Sequence, residues 1–195
     1  VYCPATWLQH VVQAFKKEGV VGVSGPTTIP QEFRNNRDLF KIKWAKSLYD
    51  FLFLGKRASL PGQLSKCGAP STYSNEPGCS YEGEVDYLEC CNMSVKRKEA
   101  LDVGGFDHSY RKTSEWSEVE LSVKLSKKGI LFFCSGAGLL HKPSKAGVYK
   151  HRLSTKHRWE NFVKFQKRWI KPSFKRYLYW RFVWTYLKMK DWRMI

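Results

Sequence analysis

A short polar segment, a helix and a double-glycine turn follow one another in residues 90–107, and an acidic helix start comes about eight residues later. The pair Gly104-Gly105 predicts a tight turn, because glycine adopts left-handed backbone conformations without strain. After this turn, Glu115, Glu118 and Glu120 place three carboxylates within six residues. A shaped loop beside clustered acids is more typical of an active site than of packing alone.

The rest of the chain alternates helical periodicity with short apolar stretches, which predicts an α/β fold built in layers. Residues 55–83 are rich in Gly, Pro, Ser and Cys and predict a long loop, of the kind that often serves as a lid or a binding loop. The first predicted helix begins at Pro4 and ends between Lys17 and Gly19. Further helices are predicted over residues 37–54, 96–103 and 117–128. Strands are predicted over residues 20–26, 87–91, 130–134 and 139–141.

The positive charge is concentrated at the C-terminal end of the chain. Residues 141–195 carry 16 Lys and Arg against 2 Asp and Glu, whereas residues 1–140 carry 18 against 15. Nearly all of the formal net charge of +17 therefore belongs to the last 55 residues. The sequence predicts a near-neutral domain over residues 1–145 and a basic helical tail over residues 146–195.

Large aromatic side chains recur at helical spacing along this tail, with Lys and Arg between them. An aromatic face beside a basic face is typical of a helix that lies in the surface of an anionic membrane. No apolar run approaches the roughly 20 residues needed to cross a bilayer, so we expect a cytoplasmic protein attached peripherally to the membrane. The residues of this face are Trp159, Phe162, Phe165 and Trp169 before Pro172, and Tyr177, Trp180, Trp184 and Leu187 after it.

The six cysteines are unevenly spaced, and no Cys-x-x-Cys pair occurs. A structural zinc site commonly uses two such pairs, so the sequence predicts none. Reduced thiols are the default state in a cytosolic protein. In an oxidising compartment, a bridge between Cys67 and Cys79 is the alternative.

Five motifs follow one another over residues 85–145. They are Asn92-Met93-Ser94, Gly104-Gly105-Phe106-Asp107, Ser117-Glu118-Val119-Glu120-Leu121-Ser122, Lys128-Gly129 and His141. In order and spacing they resemble the C-terminal half of a family 2 glycosyltransferase with the GT-A fold. The segment from Val1 to Leu8 resembles the one that follows the Asp-x-Asp metal motif of that family.

This resemblance implies an α/β, GT-A-like sheet related to the Rossmann fold, whose N-terminal nucleotide-binding half is missing from this chain. It implies transfer of a sugar from a nucleotide-sugar donor to a hydroxyl of a glycan or lipid-linked acceptor, with inversion. It also implies a divalent metal, Mg²⁺ or Mn²⁺, held largely by residues upstream of Val1, with His141 as a further candidate ligand.

An inverting transfer needs a base that removes the proton of the attacking hydroxyl. The family commonly uses the Asp of a Glu-Asp pair, and the matching pair here is Ser117-Glu118. Glu118 is therefore the first candidate for the base, and Glu115 is the alternative. The other interpretation of these acids is that they stabilise a helix N-terminus through its dipole.

Other residues are candidates for binding the substrates. Trp116, between two acids, could stack on an acceptor sugar, or it could be an ordinary core residue. The resemblance makes Cys91, Asn92, Gly105 and Asp107 candidates for contacts with donor or acceptor, and a helix cap is the alternative for Asn92. The alternatives to an enzyme are a non-catalytic domain, since Ser117 departs from the family pair, and a nucleic-acid-binding protein, since basic and aromatic residues suit phosphates and bases. We expect no nucleic-acid partner, because the basic excess lies outside the predicted globular part.

Overall fold

The computed structural model of the chain describes residues 1–30, 43–71, 79–142 and 155–192. These residues form an α/β domain with a mixed four-stranded sheet and flanking helices. The α-helices are α1 (Trp7–Phe15), α2 (Lys43–Tyr49), α3 (Arg97–Asp102), α4 (Ser117–Leu125), α5 (Thr155–Trp169) and α6 (Phe174–Trp192). The strands are β1 (Val20–Ser24), β2 (Thr27–Thr28), β3 (Gly83–Glu84), β4 (Met93–Val95), β5 (Ile130–Phe133) and β6 (Leu139–Leu140). A π-helix (Asp50–Leu54) continues α2, and 3₁₀-helices cover Gly55–Ser59 and Cys90–Asn92.

β1 is an inner strand of the sheet, whose order is β3-β5-β1-β4. It pairs in parallel with β5, with Ser24 opposite Phe133, and antiparallel with β4, with Ser24 opposite Met93. The carboxyl ends of β1 and β5 and the first residue of β4 therefore lie at one edge, which we call the carboxyl edge. In open α/β sheets, ligands usually bind outside this edge.

Apolar side chains on both faces of the sheet explain why helices cover both. In β5, Leu131 and Phe133 join a buried cluster with α4, whereas Phe132 joins a second cluster with α1. Each fully buried Leu or Phe side chain contributes about 1.5–3 kcal/mol, so this alternation fixes the two flanking helices. The first cluster contains Val21, Leu88, Leu121, Leu125, Leu131 and Phe133, and the second contains Val11, Ala14, Val20, Val23 and Phe132.

In the described part of the predicted basic tail, residues 155–192, the chain forms α5 and α6 and packs against the rest of the domain. Residues 146–154 and 193–195 of that prediction lie outside the described residues. Phe162 and Phe165 of α5 are 1% and 0% exposed. Tyr179 of α6 packs on Phe53 of the π-helix with ring centroids 5.2 Å apart. The aromatic face of α5 that the sequence assigns to a membrane is therefore covered by protein. None of the helices in the described ranges has the length and apolar character needed to cross a bilayer.

The strand predicted over residues 87–91 is wrong. These residues lead into the second 3₁₀-helix, and the strand β4 begins only at Met93. The physical reason is that the backbone N–H groups of Tyr87 and Leu88 donate to Gly62 O and Ser122 Oγ, each at 3.0 Å, and not to a neighbouring strand.

The other predicted elements in the described ranges are confirmed, with shorter bounds. The helix predicted over 37–54 begins at Lys43 in the described part and changes to π-helical geometry at Asp50. Residues 37–42 of that prediction lie outside the described residues. The predicted loop over 55–83 contains one 3₁₀-helix and the start of β3, and residues 72–78 are likewise not described.

None of the six cysteines, all within the described ranges, is in a disulfide. Cys67 and Cys79 are both buried, and Cys67 Sγ lies 3.0 Å from Ser65 Oγ. The alternative bridge between Cys67 and Cys79 is not formed.

Candidate active site

The Asn92 side chain forms hydrogen bonds with backbone groups of two turns at the carboxyl edge. Its Nδ2 donates to the carbonyl oxygens of Pro26 (3.3 Å) and Ala137 (2.8 Å), and its Oδ1 accepts from Trp7 Nε1 (3.1 Å). The residue is buried. The sequence made Asn92 a candidate donor contact, but both of its amide hydrogens are used within the protein. Its observed role is to connect the turns after β1 and β5 with α1.

Cys91 and Glu89 are half-buried neighbours of Asn92 in the chain. Cys91 Sγ lies 3.8 Å from Thr27 Oγ1 and 4.0 Å from Glu89 Oε2. Cys91 lies close to Thr27, which follows shortly after β1, and its contact with a donor stays a prediction. Glu89 was not among the candidates from the sequence. The sequence feature that could have indicated Glu89 is its position directly before the Cys90-Cys91 pair. It was overlooked because the motif that carries the resemblance begins only at Asn92.

Glu118 also lies toward the carboxyl edge. Only residues 126–129 separate α4 from Ile130, so α4 runs back along β5 and its first turn is near the carboxyl end of that strand. Glu118 is half-buried. Burial, followed by the nearby carboxylates of Glu89 and Glu118, raises the pKa of Tyr87 well above its usual value. Two acids from different segments thus approach one buried tyrosine.

The loop that leads to Glu118 has an unusual backbone. Lys112, Ser114 and Trp116 have φ angles of 55°, 54° and 77°, in the left-handed region that non-glycine residues rarely adopt. Such residues cost about 1–3 kcal/mol each, persist only where their surroundings hold them, and cluster at functional sites. Since Trp116 directly precedes α4, its conformation sets the direction in which the helix begins.

Side chains of α5 hold this loop in place. The buried amide of Asn161 accepts from the backbone N–H of Arg111 (2.8 Å) and donates to the backbone carbonyl of the same residue (2.9 Å). Arg158 Nε forms an ion pair with Glu115 Oε1 at 3.1 Å. Both ends of the segment from Arg111 to Glu115 are therefore bonded to α5.

Trp116 also packs against α5. Its ring stacks on Phe165, with centroids 5.1 Å apart and an interplanar angle of 26°. It meets Phe162 edge-on at 5.4 Å. Trp116 is therefore packed against buried residues of α5, and its stacking on an acceptor sugar stays a prediction.

Glu120 is the buried centre of a charged network. Its Oε2 accepts from the Tyr110 hydroxyl at 2.6 Å, Lys124 Nζ lies 3.2 Å from Oε1, and Arg168 Nη1 lies 3.4 Å from both oxygens. Burial raises the pKa of Glu120, but hydrogen bonds from Tyr110 and Lys124 outweigh it, and the net effect lowers the pKa. Sequence reasoning counted Glu120 only as one of three clustered acids and missed Tyr110 and Arg168.

We expect Glu120→Gln to make the free energy of unfolding depend less on pH in the acidic range. Because the pKa of Glu120 is lower in the folded chain, its carboxylate stabilises the fold above the unfolded value of about 4.3, and this stabilisation is lost as the pH falls further. The variant should be less stable at neutral pH by about 1–3 kcal/mol and should lose less stability on acidification. Urea unfolding at neutral and acidic pH measures both effects. The exposed acid Glu18, changed to Gln, is the control, and an acid dependence of Glu120→Gln equal to that of the wild type would contradict the prediction.

The predicted double-glycine turn is present after α3. Gly104 and Gly105 have φ angles of 80° and 60°. Beyond the turn, Asp107 Oδ1 accepts from the backbone N–H of Ser109 at 2.7 Å, and Asp107 forms an ion pair with Arg168. Hydrogen bonds from Ser109 and Arg168 hold the pKa of Asp107 well below its usual range. The turn that carries the candidates Gly105 and Asp107 is thus fastened to α5.

His141 follows β6, and its backbone N–H donates to Thr28 O at 2.8 Å. Across residues 1–30, 43–71, 79–142 and 155–192, no group of three or more His, Cys, Asp or Glu side chains is arranged to hold a metal ion. The role of His141 as a metal ligand stays a prediction.

Comparison of the chain with protein-family models, with curated proteins and with solved structures found no match.

Proposed function

We propose that this chain is the acceptor-side part of a GT-A-like glycosyltransferase domain, which transfers a sugar from a nucleotide-sugar donor to a hydroxyl of a glycan or lipid-linked acceptor. The observation that carries the proposal is the position of Glu118, a half-buried carboxylate in the first turn of α4 near the carboxyl edge. The strained loop before it supports the proposal, because such strain is typical of functional sites.

In this proposal Glu118 is the general base. Its carboxylate takes the proton of the acceptor hydroxyl while the hydroxyl oxygen attacks the anomeric carbon of the donor. The bond from that carbon to the diphosphate oxygen breaks, and the nucleoside diphosphate leaves with the electron pair. Attack from the face opposite the leaving group inverts the anomeric configuration. A positioned base contributes about 10²–10⁴-fold to such a reaction.

Glu115 is less suited to this role. Its Oε1 forms the ion pair with Arg158, and its Oε2 is buried without a hydrogen-bond partner. A base must reach the proton that it removes, and Glu115 is instead held against α5. We therefore assign Glu115 to holding the loop, and we assign Glu118 to the reaction because of its motif position and its place in the first turn of α4.

Cys91 and Glu89 are the described residues best suited to the donor. Both are half-buried; Cys91 lies near Thr27 at the carboxyl edge, and Glu89 lies near Cys91. The carboxylate of Glu89 can accept hydrogen bonds from sugar hydroxyls, and the thiol of Cys91 is a weak donor and acceptor. The diphosphate is assigned to no residue of the described part.

The proposal is tested by incubating the intact protein with labelled nucleotide sugars, with Mg²⁺ or Mn²⁺, and with glycan and lipid extracts as acceptors. We expect label to pass from one donor to an extracted acceptor with release of the nucleoside diphosphate. A folded protein that neither transfers nor hydrolyses any donor would contradict the proposal and favour a non-catalytic domain.

A further inference from the structure

The outer face of α2 and of the π-helix carries large apolar side chains. Trp44, Leu48, Phe51 and Leu52 are 69%, 50%, 79% and 39% exposed. Their spacing of four, seven and eight residues from Trp44 places them along one side of a helix. Single exposed apolar residues are ordinary, but a contiguous set indicates an interaction surface.

α6 lies beside this stripe. Tyr49 and Phe53 are buried residues of the same helical segment, and both pack on Phe182 of α6, with ring centroids 5.4 and 5.6 Å apart. α6 itself exposes further large apolar side chains. These are Phe174, Tyr177, Leu178, Trp184 and Met189.

The charges around these side chains are almost all positive. Residues 43–59 and 171–189 together contain nine Lys and Arg and one acid, Asp50. That acid is paired with Lys46 at 2.8 Å. A second copy of the chain would bring the same positive charge against this surface. Nucleic acid would match the charge but would leave the aliphatic side chains uncovered.

We propose that this surface, formed by residues 43–54 of α2 and the π-helix and by residues 174–189 of α6, docks on an anionic lipid bilayer. The apolar side chains enter the headgroup region, and the Lys and Arg side chains contact lipid phosphates and carboxylates. Trp, Phe and Leu beside Lys and Arg are the composition of helices that lie in a membrane interface. The contact shares Tyr177 and Trp184 with the face expected from the sequence and differs from it in α5, where Phe162 and Phe165 are buried. It goes beyond the proposed sugar transfer and does not depend on it.

Flotation with vesicles tests the surface directly. The wild-type protein is expected to float with vesicles of phosphatidylcholine and phosphatidylserine at physiological salt, and to bind phosphatidylcholine alone much less. Trp44→Ser combined with Phe51→Ser should weaken binding to the anionic vesicles at least about tenfold, because it removes the apolar contribution. Leu8→Ser combined with Leu101→Ser is the matched control, since both leucines are 61% exposed on other helices.

Several outcomes would overturn this inference. They are a wild-type protein that does not float, a Trp44/Phe51 variant that floats like the wild type, and equal binding to vesicles with and without phosphatidylserine. A dimer, or an oligonucleotide complex, that the same variant abolishes while vesicles are not bound would assign the surface to that partner. Transfer to a soluble acceptor is expected to be unchanged in the variant, so failure of docking and failure of the enzymatic proposal are distinguishable.

Discussion

Glu118→Gln is expected to abolish sugar transfer while the protein remains folded. The amide has nearly the shape of the carboxylate but cannot take the proton of the acceptor hydroxyl. The rate at saturating donor should therefore fall at least about 10²-fold, the lower end of what a positioned base contributes. Initial rates with a labelled donor measure the loss, and circular dichroism with thermal unfolding shows whether the fold is retained.

Two matched substitutions make this result specific. Glu99→Gln, on α3, removes the same charge far from the carboxyl edge and should leave the rate unchanged. Glu115→Gln removes the ion pair with Arg158 and should reduce the rate less than Glu118→Gln, through a looser loop. If Glu118→Gln keeps more than about a tenth of the activity, Glu118 is not the base. A larger loss in Glu115→Gln would then assign that role to Glu115.

The helices and strands whose type is determined by their own pattern of apolar side chains were predictable from the sequence. α4 and β5 have apolar patterns that only a helix and a buried strand satisfy, and both lie within the predicted bounds. The strand predicted over 87–91 failed because partners distant in the chain decide that segment. The backbone donors of Tyr87 and Leu88 are satisfied by Gly62 and Ser122, and nothing in residues 87–91 reveals those partners.

In the candidate site, too, local features were predictable from the sequence and contacts between distant residues were not. Motif position made Glu115 and Glu118 the candidates for the base, because neighbouring residues define the motif. The contacts that hold the loop join it to α5, across 50 residues for Arg111 and Asn161. No local pattern predicts such pairs.

Periodicity also left one ambiguity that only packing could resolve. An aromatic stripe on a basic helix indicates that one face avoids water, but it does not indicate whether protein or lipid covers that face. The aromatic face of α5 packs against the rest of the protein, since Phe162 and Phe165 are buried. The apolar side chains on the outer face of α2 and of the π-helix are exposed, although the sequence alone assigns no function to these side chains.

Phe165→Ala is expected to destabilise the protein by about 3–5 kcal/mol, the usual cost of removing a fully buried phenylalanine. Phe165 is 0% exposed and lies against the ring of Trp116, so the substitution leaves a cavity beneath the strained loop. Since natural domains are stable by only about 5–15 kcal/mol, this is a large fraction of the total. Equilibrium unfolding in urea measures the loss.

Phe174→Ala is the matched control for that substitution. Phe174 lies on α6 and is 75% exposed, so its replacement should change stability by no more than about 0.5 kcal/mol. If Phe165→Ala does not accumulate in folded form, Phe165→Leu keeps most of the volume and should still cost about 1 kcal/mol. In the folded variant, transfer should also slow, because Trp116 loses the ring that supports it and Glu118 follows Trp116 closely. Variants at Phe165 that match the wild type in stability but no longer bind anionic vesicles would show that this face of α5 meets lipid and not the core.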